Sequence, residues 1–146
     1  MASVLKIRRL ATAEVKAAVA LWWVTDLLKP WNDPQADAER ALATPTSTIL
    51  AGLLNDQLVA TAMVGSDGHR GWVYYLAVSP GHQRCGFGSQ MMAACEAWIE
   101  DLGIPKIQLM VRAENRATAR FYRRIGYEVG EFIFLSKRLG QDEAED

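Results

Sequence analysis

The sequence is poor in cysteine and carries no excess of either charge. Its two cysteines, Cys85 and Cys95, cannot build a disulfide framework, which predicts a reducing, cytoplasmic compartment. The formal net charge of -1 gives no reason to expect nucleic acid or a membrane surface as a partner. No apolar run approaches the ~18 residues of a membrane span, and none follows the basic residues near the start, so neither a membrane helix nor a signal peptide is expected. No metal site is predicted.

Length and composition predict one globular domain. The chain has 146 residues, of which 50% are apolar and 23% are charged, values typical of a domain with a hydrophobic core. We expect this domain to occupy residues 1–140. The acidic tail, residues 141–146, is expected to be disordered.

The stretch 74–88 is the most informative part of the sequence. Residues 74–78, Tyr-Tyr-Leu-Ala-Val, predict a strand that is buried on both faces. A loop opened by Ser79 and Pro80 leads to a helix beginning near Gly88. Gly86 and Gly88 would let backbone N–H groups approach a ligand closely, and a helix N-terminus favours a phosphate. The pattern therefore predicts a pyrophosphate site directly after a central strand.

Two common phosphate motifs do not fit this loop. A P-loop needs a Lys after its second glycine, and none is present. A dinucleotide fingerprint needs a third glycine where the chain has Met91. Residues 83–88, Gln-Arg-Cys-Gly-Phe-Gly, instead resemble the Gln/Arg-x-x-Gly-x-Gly/Ala signature of the GNAT superfamily of acyl-CoA-dependent N-acetyltransferases. Taken alone, the motif fits an ordinary strand–loop–helix connection equally well.

A second motif favours the GNAT interpretation. Residues 115–127, Asn-Arg-Ala-Thr-Ala-Arg-Phe-Tyr-Arg-Arg-Ile-Gly-Tyr, resemble the family pattern Asn-x-x-Ala-x-x-Phe-Tyr-x-x-x-Gly-Phe/Tyr. The two motifs have the order and separation of the family, with one helix and one strand between them. Residues 28–34 and 67–71 further resemble the YpeA-type bacterial acetyltransferases.

The expected fold is α/β, with a mixed and largely antiparallel sheet flanked by helices. The predicted order is β-α-α-β-β-β-α-β-α-β, which is also the order that the GNAT resemblance implies. Helices are expected to begin at Thr12, Asp33 and Asn115, which can act as N-caps, and at Gly88. The first helix should run to about Leu28. The predicted strands are residues 4–10, 48–54, 58–64, 74–78, 106–112 and 127–139, the last with Phe132, Phe134 and Leu135 buried.

The resemblance implies acetyl-CoA as the cosubstrate and assigns residues to it. The backbone of the strand predicted over residues 74–78 would hold the acetyl carbonyl and the pantetheine arm at Leu76, Ala77 and Val78. Asn115 would bond the pantetheine. The loop around the pyrophosphate would comprise Gln83, Arg84, Cys85, Gly86, Phe87, Gly88 and Ser89. A plain core strand and a plain helix cap are compatible alternatives for the strand and for Asn115.

Tyr122 is the candidate general acid. A phenol with a pKa near ~10 can protonate a departing thiolate whose conjugate acid has a pKa near ~8.5, provided that it is well positioned. The alternative is a core tyrosine beside Phe121. The same helix carries four arginines, which form either a solvated basic face or, in part, contacts to the coenzyme A phosphates.

The base and the acceptor are less well specified. Related N-terminal protein acetyltransferases have a Glu five residues before the motif Asn, where this chain has Met110. The acceptor-side candidates are Trp31, Asp33, Asp67 and His69, each of which also fits a turn, capping or core role. Asp33, Asp67 and His69 are also the candidates for the general base, with a chain of water molecules as the alternative. The resemblance implies that the N-terminal half covers the acceptor groove, so its aspartates and tryptophans favour a cationic primary amine. The other hypotheses are a non-catalytic acyl-CoA-binding or protein-interaction module and, weakly, nucleic-acid binding by the arginine helix. A homodimer is one assembly that the resemblance allows.

Overall fold

A computed structural model describes residues 3–140 of the chain. The chain divides into two compact units, the first ending at Leu109 and the second beginning at Met110. The first contains, in chain order, β1 (Lys6–Arg9), α1 (Val15–Val24), α2 (Pro34–Ala43), β2 (Ser47–Leu54), β3 (Gln57–Ser66), β4 (Gly71–Val78), α3 (Phe87–Asp101) and β5 (Ile107–Gln108). The second contains α4 (Arg116–Arg124). The single domain stays a prediction, and the predicted tail lies outside the described residues.

The sheet is mixed and largely antiparallel, as the sequence predicted. Its strands lie in the order β1-β2-β3-β4-β5, with four antiparallel strands followed by a parallel β5. Strand β2 is buried along almost its whole length, as expected for an apolar strand covered on both faces. The hairpin from β2 to β3 turns at Asn55 and Asp56, both with positive φ, which matches the twist of the flanking strands.

Helices cover both faces of the sheet. Ile49 and Ala51 of β2 belong to one buried cluster with residues of α1 and α2. Gly52 directly follows Ala51 and therefore faces the opposite side, where a Cβ atom would come within 2.8 Å of the Met91 sulfur of α3. A Cβ atom on Gly71 would similarly meet Ile99 at 2.7 Å. The two glycines thus allow α3 to pack closely on the sheet.

Two of the three predicted N-caps are confirmed. The Asp33 carboxylate accepts the Ala36 N–H at 3.0 Å, and Asn115 Oδ1 accepts the Thr118 N–H at 3.2 Å. Thr12 is not a cap, because it lies inside a 3₁₀ turn, Thr12–Glu14, that precedes α1. There the Glu14 carboxylate accepts the Ala11 N–H at 2.8 Å, so an acidic side chain replaces the predicted hydroxyl.

Helix α1 ends at Val24, four residues before the predicted end. Asp26 adopts a left-handed conformation, with φ of 61°, and the Leu27 N–H bonds the Trp22 carbonyl at 3.0 Å. This is the hydrogen-bond pattern of a Schellman motif, which closes a helix. Leu27 and Leu28 still pack against the core cluster, so apolar spacing overstated the helix length.

Of the last two predicted strands, one is shorter than predicted and the other is not found in the described residues. Strand β5 covers two residues rather than 106–112, because it pairs with β4 only at Gly71 and Trp72. No strand is found within 127–139 in the described chain, and the three side chains expected to be buried there are exposed: Phe132 (91%), Phe134 (67%) and Leu135 (86%). Alternating apolar residues indicate where side chains would point, but a strand also needs a partner backbone.

Candidate active site

Strand β4 has one edge that is largely unpaired by other described strands. It pairs with β3 along most of its length but with β5 only over its first two residues. The Ser79 N–H donates to the Val59 carbonyl of β3 at 2.8 Å. Because successive N–H groups in a strand point to opposite sides, those of Leu76 and Val78 face the open edge. Backbone donors are therefore available where the GNAT resemblance predicts the acetyl carbonyl.

The same strand contains a bulge. Ala77 pairs with Thr61 and Tyr74 with Met63, so three steps along β4 match two along β3. Tyr75 lies at this irregularity with φ of 53°, a conformation that costs a non-glycine residue about 1–3 kcal/mol. The prediction that residues 74–78 are buried on both faces was wrong, since the Tyr74 side chain is 46% exposed. The strand lies next to the short β5, so neighbours cover it only in part.

The loop after β4 presents backbone to open space. Its first turn is a 3₁₀ helix at Pro80–His82, and Arg84 and Gly86 then adopt left-handed conformations with φ of 64° and 79°. A Cβ atom added to Gly86 would meet no other group within 4 Å. The Gln83 side-chain amide donates to the Val78 carbonyl at 3.1 Å and so ties the loop to the end of β4.

Helix α3 begins without a side-chain cap. Gly86 is its N-cap residue, and no side chain of residues 3–140 caps the N–H groups of the first turn, which begins with Phe87, Gly88 and Ser89. Phe87 is buried, which fixes the start of the helix against the core. Unpaired N–H groups at a helix start favour an anion. The chemistry of this loop therefore fits a pyrophosphate, with the exposed Arg84 and Cys85 beside it.

The sequence did not single out His82, which lies in this loop. Its ring is tilted against Phe87 with centroids 6.4 Å apart. Its Nδ1 atom is buried and makes no hydrogen bond within residues 3–140. In the sequence, only its position between the predicted strand and the two glycines could have indicated that His82 belongs to the candidate site.

Two of the acceptor-side candidates hold local structure. Asp67 accepts hydrogen bonds from the N–H groups of Arg70 and His69, both at 2.8 Å, and from the Trp72 indole at 3.3 Å. The backbone donors of Arg70 and His69 are the main cause that lowers the pKa of Asp67 to about 2. Asp33 caps α2. His69 is exposed and Trp31 is half-buried. Binding of an acceptor by these residues stays a prediction.

Asp37 and Tyr75 form a contact that the sequence did not indicate. The Tyr75 hydroxyl donates to Asp37 Oδ2 at 2.9 Å, and its ring stacks on Trp22 at a centroid distance of 4.0 Å. Burial and the neighbouring Asp37 carboxylate raise the pKa of Tyr75 well above its ordinary value. Tyr75 is therefore a protonated donor across the physiological range. Trp22 is fully buried, which agrees with a core role.

The second unit contains Tyr122 and Asn115, the two candidate site residues of the second motif. Tyr122 is 8% exposed, and its ring meets the edges of Phe121 and Tyr127 at centroid distances of 5.0 Å and 5.6 Å. Asn115 caps α4. The four helix arginines are exposed: Arg116, Arg120, Arg123 and Arg124. Burial suits a phenol that must be held in one position, and it suits a core tyrosine equally.

A cavity of about 440 Å³ lies elsewhere in the first unit, lined in part by Arg9, Thr48 and Trp98. It contains none of the predicted site residues, so the β4 loop remains the candidate site. Within residues 3–140, no group of three or more His, Cys, Asp or Glu side chains could hold a metal ion. In the same range, no helix is long and apolar enough to cross a membrane.

These features define a mixed α/β fold in which a strand with one largely unpaired edge is followed by a glycine-containing loop and an uncapped helix start. The model of the Acetyltransferase (GNAT) family matches residues 16–127. The chain therefore belongs to the GNAT family of acyl-CoA-dependent N-acetyltransferases, as the two motifs predicted. The predicted family and the predicted class of enzyme, an acetyltransferase, are therefore confirmed.

Relatives of known family support this assignment. The chain is 38% identical over 138 residues to acetyltransferase ECA0875 of Pectobacterium atrosepticum. The aligned region covers 94% of this chain and 98% of the relative. It is 37% identical over 139 residues to an acetyltransferase of Yersinia pestis (strain Pestoides F), covering 95% and 99%.

Solved structures share the fold at low identity. The aminoglycoside acetyltransferase AAC(6')-Iy, in complex with a bisubstrate analogue of CoA and acetylneamine, has a TM-score of 0.79 at 18% identity, covering 93% of this chain and 99% of that one. The aminoglycoside 6'-N-acetyltransferase AAC(6')-IG of Acinetobacter haemolyticus has a TM-score of 0.74 at 18% identity, covering 92% and 99%. These likenesses confirm the GNAT fold.

Proposed function

We propose that this protein transfers the acetyl group of acetyl-CoA to a primary amine by direct attack. The observation that carries the proposal is the open edge of β4, with two N–H groups facing it, immediately before the uncapped start of α3. This arrangement offers donors for a thioester oxygen and for a pyrophosphate at the two ends of one short segment. A structural neighbour is described as a complex with CoA, which supports this choice of ligand.

In the proposed reaction, the amine nitrogen attacks the thioester carbon. The C–N bond forms, and the carbonyl oxygen becomes an oxyanion that the N–H groups of Leu76 and Val78 stabilise. The C–S bond then breaks, and Tyr122 donates its hydroxyl proton to the departing thiolate. The amine loses its extra proton to water, because Met110 stands where related enzymes have a Glu. Asn115 holds the pantetheine arm in this proposal.

The acceptor in this proposal is a small or peptidic cationic amine. The structural neighbours described above are named for aminoglycosides, which are small-molecule amines, and this supports the class at the level of a shared fold only. Trp31, Asp33, Asp67 and His69 are the candidate acceptor contacts. We also place the protein in the cytoplasm, consistent with two unpaired cysteines. A homodimer is a further prediction, which light scattering of the purified protein measures.

Thiol release from acetyl-CoA over a panel of primary amines tests the function. We expect release that depends on the amine, together with an acetylated product of matching amount. A protein that is folded and binds acetyl-CoA, yet stays silent across cationic, neutral and anionic amines, would instead be an acyl-CoA-binding module. If neutral or anionic amines were the best acceptors, the cationic preference would be wrong while the reaction class stood.

A further inference from the structure

Tyr75 is held in its strained conformation by contacts from three other elements. The Trp22 ring of α1 stacks on the Tyr75 ring with an interplanar angle of 14°. The Thr61 hydroxyl of β3 donates to the Tyr75 carbonyl at 3.0 Å. The Asp37 carboxylate of α2 accepts the Tyr75 hydroxyl at 2.9 Å. One residue of β4 is thus fixed at its ring, its carbonyl and its hydroxyl.

Thr61 connects these contacts through one hydroxyl group. It accepts the Trp22 indole N–H at 2.8 Å and donates to the Tyr75 carbonyl. A hydroxyl has one proton and two acceptor positions, so it can satisfy both partners at once. Thr61 is fully buried, and it stands among apolar residues of β3. A bulge leaves its extra residue without a ladder hydrogen bond, and the Thr61 hydroxyl supplies a substitute.

The bulge decides which backbone groups face the open edge of β4. Without the extra residue, the alternation of the strand would shift by one, and the N–H groups of Leu76 and Val78 would point to β3. We propose that the contacts among Trp22, Thr61, Tyr75 and Asp37 form a positioning network, with Thr61 at its centre, that fixes the bulge and aims the two N–H groups at the thioester. This inference rests on the proposed function for its catalytic part only.

The chain offers a matched set of variants. Thr61→Val removes the hydroxyl at nearly constant volume and leaves the Trp22 N–H and the Tyr75 carbonyl without it. Thr61→Ser restores the hydroxyl. Thr48→Val is the control, because Thr48 is also buried in the sheet but its hydroxyl makes no hydrogen bond within residues 3–140. Tyr75→Phe keeps the stacked ring and removes only the bond to Asp37.

We expect Thr61→Val to lower kcat by about tenfold to 100-fold, a part of the 10²–10³ that one lost oxyanion donor costs. KM for acetyl-CoA should change far less, because the pyrophosphate loop is intact. Thr61→Ser should recover most of the loss, and Thr48→Val should match the wild type. Tyr75→Phe should lower kcat by a smaller factor; it also tests the network if Thr61→Val does not fold.

Amide NMR of the CoA-free protein tests the network apart from catalysis. Thr61→Val should shift the amide resonances of Leu76 and Val78, whereas Thr48→Val should leave them in place. Wild-type kcat together with unshifted amides in Thr61→Val, or in Tyr75→Phe as its substitute, would overturn the proposal. If the wild type showed no turnover, the proposed function would fail, while the amide shifts would still decide whether Thr61 fixes the bulge.

Discussion

At the scale of single residues, Tyr122 carries the most specific chemical prediction. Tyr122→Phe removes one hydroxyl from a ring packed between Phe121 and Tyr127. The proton is needed only as the C–S bond breaks, so kcat should fall by about 10²- to 10⁴-fold while KM for acetyl-CoA holds. Steady-state kinetics under conditions where chemistry limits the rate is the measurement.

Tyr127→Phe is the matched control for this prediction. It likewise removes one phenolic hydroxyl, but from the neighbouring ring, at a position where the family pattern accepts either Phe or Tyr. It should retain wild-type turnover. If Tyr122→Phe turned over as fast as Tyr127→Phe, Tyr122 would be a core residue and the proton would come from elsewhere.

The two cysteines should differ sharply in reactivity. Cys95 is fully buried, and burial, with a smaller effect of Glu96, raises its pKa to about 12, so almost no thiolate forms at neutral pH. Cys85 is exposed in the candidate loop. Iodoacetamide should therefore label Cys85 in the native protein and Cys95 only after unfolding. Acetyl-CoA should slow labelling of Cys85; equal rates with and without it would place the ligand away from the loop.

At the scale of elements, the two ends of α3 provide a matched comparison of glycines. Gly86 and Gly103 have nearly equal φ, 79° and 78°, and a Cβ atom on either would meet no group within 4 Å. Gly86→Val and Gly103→Val should therefore destabilise the fold to a similar degree through backbone strain. Only Gly86→Val should weaken acetyl-CoA binding, because only Gly86 lies where the phosphate would approach.

Calorimetry measures the difference between these variants. We expect acetyl-CoA affinity to fall by about tenfold or more in Gly86→Val, since a hydrogen bond to a charged group contributes about 1.5–3 kcal/mol. Gly103→Val should bind like the wild type. Equal affinity in both variants, at matched melting temperatures, would contradict the role of the loop.

The ion pair at the turn before α1 should make the stability of the fold sensitive to acid. The Arg8 guanidinium, with further help from the Ala11 N–H, lowers the pKa of Glu14 from 4.5 to about 2. A lowered pKa means that the stabilisation is complete above pH 4.5 and is lost as the pH falls towards about 2. Glu14→Gln should remove this part of the pH dependence. Denaturant titrations between those pH values measure the free energy of unfolding of the wild type and of Glu14→Gln. If the two proteins lost stability in parallel as the pH falls, the role of Glu14 would be refuted.

At the scale of the whole molecule, the sequence predicted the parts of the fold whose signals are local. Asp33 before Pro34 and Asn115 before the arginine helix each act through nearby backbone, and each was found where expected. The turn at Asn55 and Asp56 lies between the two strands predicted over residues 48–54 and 58–64. The final strand was not found, because pairing depends on residues far away in the chain. Alternation at Phe132 and Phe134 could not supply that partner.

In the candidate site, too, the features with local signals were predicted and those that depend on distant residues were not. The glycine loop was readable because Gly86 needs a conformation that few other residues adopt. The bulge at Tyr75 was not readable, because the side chain that holds it belongs to another strand. Thr61 is a hydroxyl residue in the middle of an apolar stretch, which was a weak signal, but its two partners lie 39 and 14 residues away in the sequence. Such contacts exist only in the folded chain.

The central claim is that acetyl-CoA binds along the open edge of β4, the following loop and the start of α3. Hydrogen exchange of the full chain, followed by mass spectrometry with and without acetyl-CoA, tests it most directly. We predict slower exchange in peptides covering residues 76–90 and unchanged exchange in residues 42–50, which border the other cavity. Unchanged exchange in residues 76–90, or protection confined to residues 42–50, would contradict the claim.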